Sequence, residues 1–160
     1  MVVPSSFIAK LRILAIMKKL LIFGWLLGFM VACDIKPVQI DFGKDGCHFC
    51  SMTIIDNQHA AEIINDKGKA FKYDAIECML NDLKTRPANE IGMILINDYN
   101  DPGTLINAQD ATYLISDAIP SPMGAFLSAG LDQTAIKDLQ RTSGGEIYSW
   151  TSIKQKFKVE

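Results

Sequence analysis

Two thiols, an imidazole and a thioether stand within six residues at Cys47-His48-Phe49-Cys50-Ser51-Met52, the densest group of soft donors in the 160-residue chain. Thiolate and thioether sulfur are polarizable ligands that favour Cu(I), whereas methionine is a poor ligand for Zn(II) or Mg(II). A structural zinc knuckle asks for four Cys or His ligands, usually in two separated pairs. Here the second pair is missing, because Cys78 stands alone and His59 is isolated. Soft-metal binding is the first reading and zinc the second. A Cys-x-x-Cys pair can also be a redox dithiol, but that motif normally follows a strand and opens a helix. Cys47 instead follows a glycine-containing stretch and precedes Thr53 to Ile55, a run of extended type. A resting disulfide and a catalytic dithiol stay open beside metal binding.

A second sulfur sits in Ser121-Pro122-Met123-Gly124. A methionine between proline and glycine is not placed as a regular core residue would be, and its unbranched chain could deliver a thioether to a site formed elsewhere. Folding back onto the core is the plainer alternative. Cys78 and Met79 follow Phe71-Lys72-Tyr73-Asp74 and read as core residues, since free Cys and Met are commonly buried. Met93 also reads as core, and His59 as an ordinary polar position. No nucleophile elbow, glycine-rich phosphate loop or His pair at metalloenzyme spacing is present, so catalysis has little support.

The elements that must position these residues follow from pattern. Gln58 to Asn65 reads as a strand, Asn65-Asp66-Lys67-Gly68 as a turn and Lys69 to Tyr73 as a second strand. Asp74 is expected to cap a helix running to Arg86, with Glu77 completing a capping box and Ile76, Met79, Leu80 and Leu83 at helical spacing. Ile91 to Ile96 reads as a central strand, and Thr104 to Ala108 as its neighbour. The period of Asp110 to Ser116 is undecided. Ala125 to Ala129 reads as a strand, Leu131 to Arg141 as a second helix ending at Gly144-Gly145, and Glu146 to Trp150 as a strand. The Lys-rich end gives no signal. The expectation is a small α+β fold, a mixed, mostly antiparallel sheet with two helices in strand-strand-helix-strand units.

Charge and hydropathy set the location. Every charged residue before Cys33 is basic (Lys10, Arg12, Lys18, Lys19), which leaves 12 basic against 18 acidic residues after it. An acidic chain without a basic patch argues against nucleic-acid binding. Leu20 to Ala32 is apolar, follows Lys18-Lys19 and is too short for an ordinary spanning helix, as in the h-region of a signal peptide. Met30-Val31-Ala32-Cys33 resembles a bacterial lipobox, with Met30 where Leu is usual. Met17 could be the translation start, since Met17 to Cys33 is a complete short signal by itself. The chain then divides into a signal peptide (1–32), a lipid-anchored tether (33–46) and a domain (47–160), held outside the cytoplasm by lipid on Cys33. Asp34 resembles an inner-membrane retention signal. In that oxidising space, free thiols need a partner or a metal.

The ordered features resemble the NosL family, the lipoprotein accessory proteins of nitrous-oxide reductase. The resemblance runs from Met30-Val31-Ala32-Cys33 through Cys47-His48-Phe49-Cys50-Ser51-Met52-Thr53-Ile54, His59-Ala60-Ala61-Glu62, Gly68 and Phe71-Lys72-Tyr73-Asp74. It continues in Glu77-Cys78-Met79 and ends at Ser121-Pro122-Met123-Gly124. It implies paired strand-strand-helix-strand units like the organomercurial lyase core. It also implies a noncatalytic Cu(I) metallochaperone acting with an ABC-type exporter complex and apo nitrous-oxide reductase. The implied ligands are Cys50, Met52 and Met123; Cys47 and His48 could complete or replace them, Cys47 could pair with Cys50, and Phe49 could shield the ion. Family members commonly carry Gly where this chain has Ser51. Their Met-Gly loop often adds glycines or a His where this chain has Ala125-Phe126. The competing readings are a cell-envelope thiol-disulfide oxidoreductase, and a docking lipoprotein in which Cys47 and Cys50 staple the start of the domain.

Overall fold

The computed structural model describes residues 35–159 together with Lys18. The signal peptide, the lipobox, Cys33 and Asp34 lie outside the described residues. Seven strands are described: β1 (Ala61–Asn65), β2 (Ala70–Tyr73), β3 (Ile91–Asn97), β4 (Leu105–Asn107), β5 (Thr112–Ile115), β6 (Leu127–Gly130) and β7 (Glu146–Tyr148). Three helices of the domain accompany them: α1 (Ile76–Leu83), α2 (Gln133–Ser143) and α3 (Trp150–Phe157).

The strands form two antiparallel sheets, one ordered β2-β1-β3-β4 and the other β6-β5-β7. Two units with one topology result. In β1-β2-α1-β3 and again in β5-β6-α2-β7, the first strand is flanked by the second and the last. The expected α+β class and the repeated strand-strand-helix-strand order are both observed, with β4 and α3 added after the respective units.

Local chemistry explains most boundaries. The Asn65 side chain accepts the N–H groups of Lys67 at 3.0 Å and Lys69 at 2.8 Å, which fixes the β1–β2 turn. Asp132 caps α2 by accepting from Thr134 and Ala135. Beyond that helix, Gly145 passes so close to β5 that a Cβ would collide with the Ile115 carbonyl.

Two expectations for α1 change, and three further segments take definite form. Asp74 does not cap α1: the capping position is Ala75, without a side-chain cap, and Asp74 is instead buried with its backbone N–H toward Cys47. The helix also stops at Leu83 rather than Arg86. Thr53 to Ile55 forms no strand; only Thr53 bridges back to Gly46. Asp110 to Ser116 contains the central strand of the second sheet, and the Lys-rich end contains α3, started by a Ser149–Ser152 capping box.

The main core gathers β1, α1, Ile54, Ile96, Tyr113, Leu127 and Ile153, and a smaller cluster joins Leu114, Ile119 and Ile136. Met79 lies in the main core as expected, while Met93 is half-buried. Tyr73, fully buried at the end of β2, donates to Asp82 at 2.6 Å, and Asp82 also binds Arg86 at 2.6 Å. The Arg86 guanidinium lies 4.0 Å from the Phe71 ring centroid, so α1 is tied to β2 by charge and by a cation–π contact.

Candidate metal centre

The sulfur-rich segment folds as a tight loop because its backbone is bonded across itself. Cys47 N–H donates to Met52 O at 2.7 Å, Ser51 N–H to Cys47 O at 2.9 Å, and Ile54 N–H to Asp45 O at 2.9 Å. His48 N–H donates to Lys72 O at 2.8 Å, which docks the loop on β2. From below, the Lys72 ammonium holds Asp45 at 2.6 Å and the Gln39 carbonyl at 2.8 Å.

This loop sets Cys47 and Cys50 against the first turns of α1, which supplies Cys78. The three sulfurs all lie within 4.8 Å of one another, and all three are free thiols. Metal–thiolate bonds of roughly 2.3 Å place three ligands around one ion about 4 Å apart. The cluster is therefore close to the spacing of a three-coordinate thiolate site and can coordinate a metal ion. Cys47 and Cys78 are buried, and Cys50 is the half-exposed member.

Hydrogen bonding separates the thiols electrostatically. The Cys78 S–H group donates to Cys47, and the backbone N–H groups of Cys50, Asp74 and Phe49 point to the same sulfur. Together they overcome its burial and hold its pKa down to about 4. That donation and burial push Cys78 far up. Burial raises Cys50, while the Met52 N–H partly offsets it. The arrangement favours the thiolate form at Cys47 over Cys50 and Cys78.

Of the two thioethers, Met52 lines a cleft on this side of the domain, and Met123 follows directly on its Pro120–Pro122 wall. Met52, Thr53, Ile55, Asp56, Asp74, Pro120, Ser121 and Pro122 line an open cleft of about 440 Å³. Met52 is 45% exposed and Met123 38% exposed. The loop carrying Met123 is fastened to α1: Ser121 Oγ donates to Glu77 in a short hydrogen bond and accepts Phe126 N–H at 2.9 Å. His48 turns the other way, with its ring 4.8 Å from Phe71 and 6.2 Å from Tyr73. Phe49 is exposed beside the loop.

Cys47 and Cys50 come together with Cys78, which sequence reasoning had placed in the core. It is indeed buried. The signal for its second role was its position four residues after Asp74, where a helix beginning at residue 76 turns that side chain toward the preceding loop.

The NosL family model matches residues 37–157. The chain belongs to the NosL family. Among curated proteins, none matches the chain. Among solved structures, the chain is similar to one described as the copper chaperone NosL from Shewanella denitrificans, at TM-score 0.64 and 17% identity, covering 72% of this chain and 93% of that one. That likeness is one of fold.

Within this NosL-family domain, several residues of the resemblance prove to be scaffold. His59 bonds Asp56 at 2.8 Å and Ser128 Oγ at 3.1 Å, a chain of acid, imidazole and hydroxyl. Ser128 is fully buried; the chain links the segment before β1 to β6. Glu62 is buried and accepts Val38 N–H at 3.2 Å. Ser51 adopts φ 65, the left-handed conformation that glycine takes most readily, so the loop keeps that geometry without glycine. Among the described residues, no helix is long and apolar enough to cross a membrane.

Proposed function

We propose that the chain is a periplasmic Cu(I)-binding metallochaperone lipoprotein that delivers copper for nitrous-oxide reductase assembly. The observation that carries this reading is the Cys47–Cys50–Cys78 cluster beside a cleft whose wall includes Met52. Cu(I) prefers thiolate and thioether donors and low coordination numbers, and the site offers both sulfur types without a carboxylate cage. Cys50, Met52 and Met123 form the exchangeable outer set. Cys47 and Cys78 supply buried thiolate character behind Cys50. His48 enters the ligand set only by leaving its tilted contact with Phe71.

Family membership and the fold likeness to a copper chaperone support the carrier role. Lipid on Cys33 would hold the domain at a membrane face, most simply the inner membrane. There an ABC-type exporter complex and apo nitrous-oxide reductase are the proposed partners. A redox role is less favoured by the geometry. The activated sulfur is Cys47, which is 3% exposed, whereas the reachable Cys50 is the thiol that burial pushes up. A disulfide-exchange nucleophile needs access and thiolate character on one sulfur.

Anaerobic Cu(I) titration of the chain beginning after Cys33, against a chromophoric Cu(I) chelator, tests the proposal. One equivalent should bind tightly, and Cys50→Ser or Met123→Ala should weaken it by at least about tenfold, roughly 1.4 kcal/mol. Unchanged binding in both variants would overturn the outer set. Absence of any tight site would overturn the copper function.

A further inference from the structure

From Ile35 onward the chain is held against the first sheet. Gly92 passes so close to Ile35 that a Cβ there would stand 2.8 Å from Ile35 Cδ1 and 2.9 Å from the Asn65 carbonyl oxygen. Val38 N–H donates to Glu62 at 3.2 Å, the Gln39 carbonyl accepts from the Lys72 ammonium at 2.8 Å, and Ile40 is buried in the main core. Gly43 N–H then donates to Ile54 O at 2.8 Å, and Gly46 bridges to Thr53. These contacts follow β1 backward, from Asn65 at its end to Glu62 and the paired Lys72, where the sulfur loop docks. The segment therefore enters at one end of the sheet and delivers the sulfur cluster to the other.

The entry end carries two exposed turns. The β1–β2 turn at residues 66–69 and the turn Ala88–Glu90 lie side by side, with Asp66 N–H donating to Glu90 O at 3.1 Å. Lys36, Lys67 and Lys69 are exposed at this end beside Asp66 and Glu90. That is a local excess of positive charge in a chain with 12 basic against 18 acidic residues after Cys33. In the sequence, Asp34 alone separates Ile35 from Cys33, and two residue steps reach at most about 7 Å.

Resting on the lipid anchor at Cys33, we propose that this short connection sets the entry end of the domain, with its two turns, against phospholipid headgroups. A domain leashed within about 7 Å of its anchor point cannot turn its far end to the bilayer, whereas a long flexible linker would let it do so. Headgroup phosphates suit the exposed lysines, and anionic lipids add attraction. The five residues of β1 span about 15 Å, so Cys47, Cys50 and Cys78 stand off the bilayer by a distance of that order. A partner that gives or takes the ion must then meet the domain from the aqueous side, with its own metal-binding group projecting from the membrane.

The test uses the mature lipidated chain in nanodiscs of phosphatidylethanolamine and phosphatidylglycerol that include a lipid with a nitroxide on its headgroup. Amide signals of Lys67, Gly68 and Asn89 should be lost to paramagnetic broadening, while those of Cys50, Met52 and Ser121 persist. A chain lengthened between Asp34 and Ile35 by a glycine-serine insert of about ten residues should lose that difference. Equal broadening of both sets in the unaltered chain, or stronger broadening of the Cys50 set, would overturn the proposal, and so would a difference that survives the insert. Mass spectrometry of the same sample keeps the two readings apart. Absence of lipid on Cys33 would sink the anchor and the proposal with it, whereas equal broadening in a lipidated chain would sink the orientation alone.

Discussion

The β1-β2-α1-β3 and β5-β6-α2-β7 halves place their strands in the same order, yet α1 buries six of its side chains whereas α2 buries one, Ile136. The first helix lies between its own sheet and the rest of the domain, so positions that would face solvent in α2 face the sulfur loop or the Met123 loop in α1. Glu77 and Cys78, polar or reactive groups in the middle of a helix, are inside for that reason. The second half is a conventional amphipathic layer. One topology therefore serves as site in one copy and as support in the other, and the difference comes from what packs on the outer face of the helix.

The largest effect that separates the halves is electrostatic and belongs to α1. Cys47 has a folded pKa of about 4, below that of an ordinary thiol. Its contribution to stability is therefore fully present above an unfolded thiol value of about 8.5. It shrinks as pH falls and is gone once pH passes below the folded value. Thiolate ultraviolet absorbance of the metal-free, reduced domain should show one ionised thiol at neutral pH that titrates near pH 4. Cys78→Ala removes the S–H donor and should move that midpoint upward. A midpoint in the ordinary thiol range in the unaltered domain would mean that α1 does not supply the donor that distinguishes it from α2.

Next in size are the ties between each helix and its surroundings. Asp82 and Arg86 side chains are 16% and 10% exposed, and Tyr73 also donates to Asp82. Asp82→Ala strands both partners, and should lower unfolding free energy by about 3–5 kcal/mol in denaturant melts. On α2 the corresponding kind of pair, Arg141 with Asp138, is exposed, and Asp138→Ala should change stability by less than about 1 kcal/mol. Equal losses would erase the contrast drawn here.

Much of this organisation was legible in the sequence. The strand-strand-helix-strand order, the Asp132 cap and the β1–β2 turn follow from local pattern, because period and turn chemistry act within a few residues. The Cys47–Cys50 pair was visible because both sulfurs lie on one loop. The third thiol was not, because Cys78 falls on the apolar stripe of α1 and only tertiary packing shows that this stripe also meets the loop. Asp74 misled for a related reason: its type and spacing fit a capping box, yet the helix is capped at Ala75 and tertiary packing buries the Asp74 side chain. The period of β5 was hidden because a strand buried on both faces does not alternate, and α3 because its lysines mask a short apolar stripe.

A smaller effect concerns a tie between α1 and the loop that belongs to the second half. Ser121→Ala leaves the buried Glu77 carboxylate without its hydroxyl donor and frees the Phe126 N–H. The expected loss is about 1–3 kcal/mol, together with weaker Cu(I) retention on the proposed ligand set, because the loop carrying Met123 loses its tie to α1. Ile136→Ala should cost about 2–4 kcal/mol through its cavity and leave Cu(I) affinity unchanged. The pair of variants thus separates damage to the site from damage to the support, and a parallel fall in affinity for both would show that the halves are not separable.

The smallest effect compares the two sulfur loops themselves. Each contains a non-glycine residue in the left-handed region, Ser51 at φ 65 before Met52 and Phe126 at φ 58 after Met123. That conformation costs roughly 1–2 kcal/mol for an L-residue, and glycine would remove the cost while adding about 0.5–1 kcal/mol of unfolded-state entropy. Ser51 is exposed, and its side chain holds nothing in the cluster, so Ser51→Gly should raise stability by about 0–1 kcal/mol and leave Cu(I) affinity unchanged. Phe126 is half-buried, so Phe126→Gly also forfeits ring packing and should lower stability by at least about 1 kcal/mol. Opposite signs in thermal melts would show that the first loop is held by its backbone bonds and the second by its side chain. A marked loss from Ser51→Gly would mean instead that the left-handed turn depends on Ser51 itself.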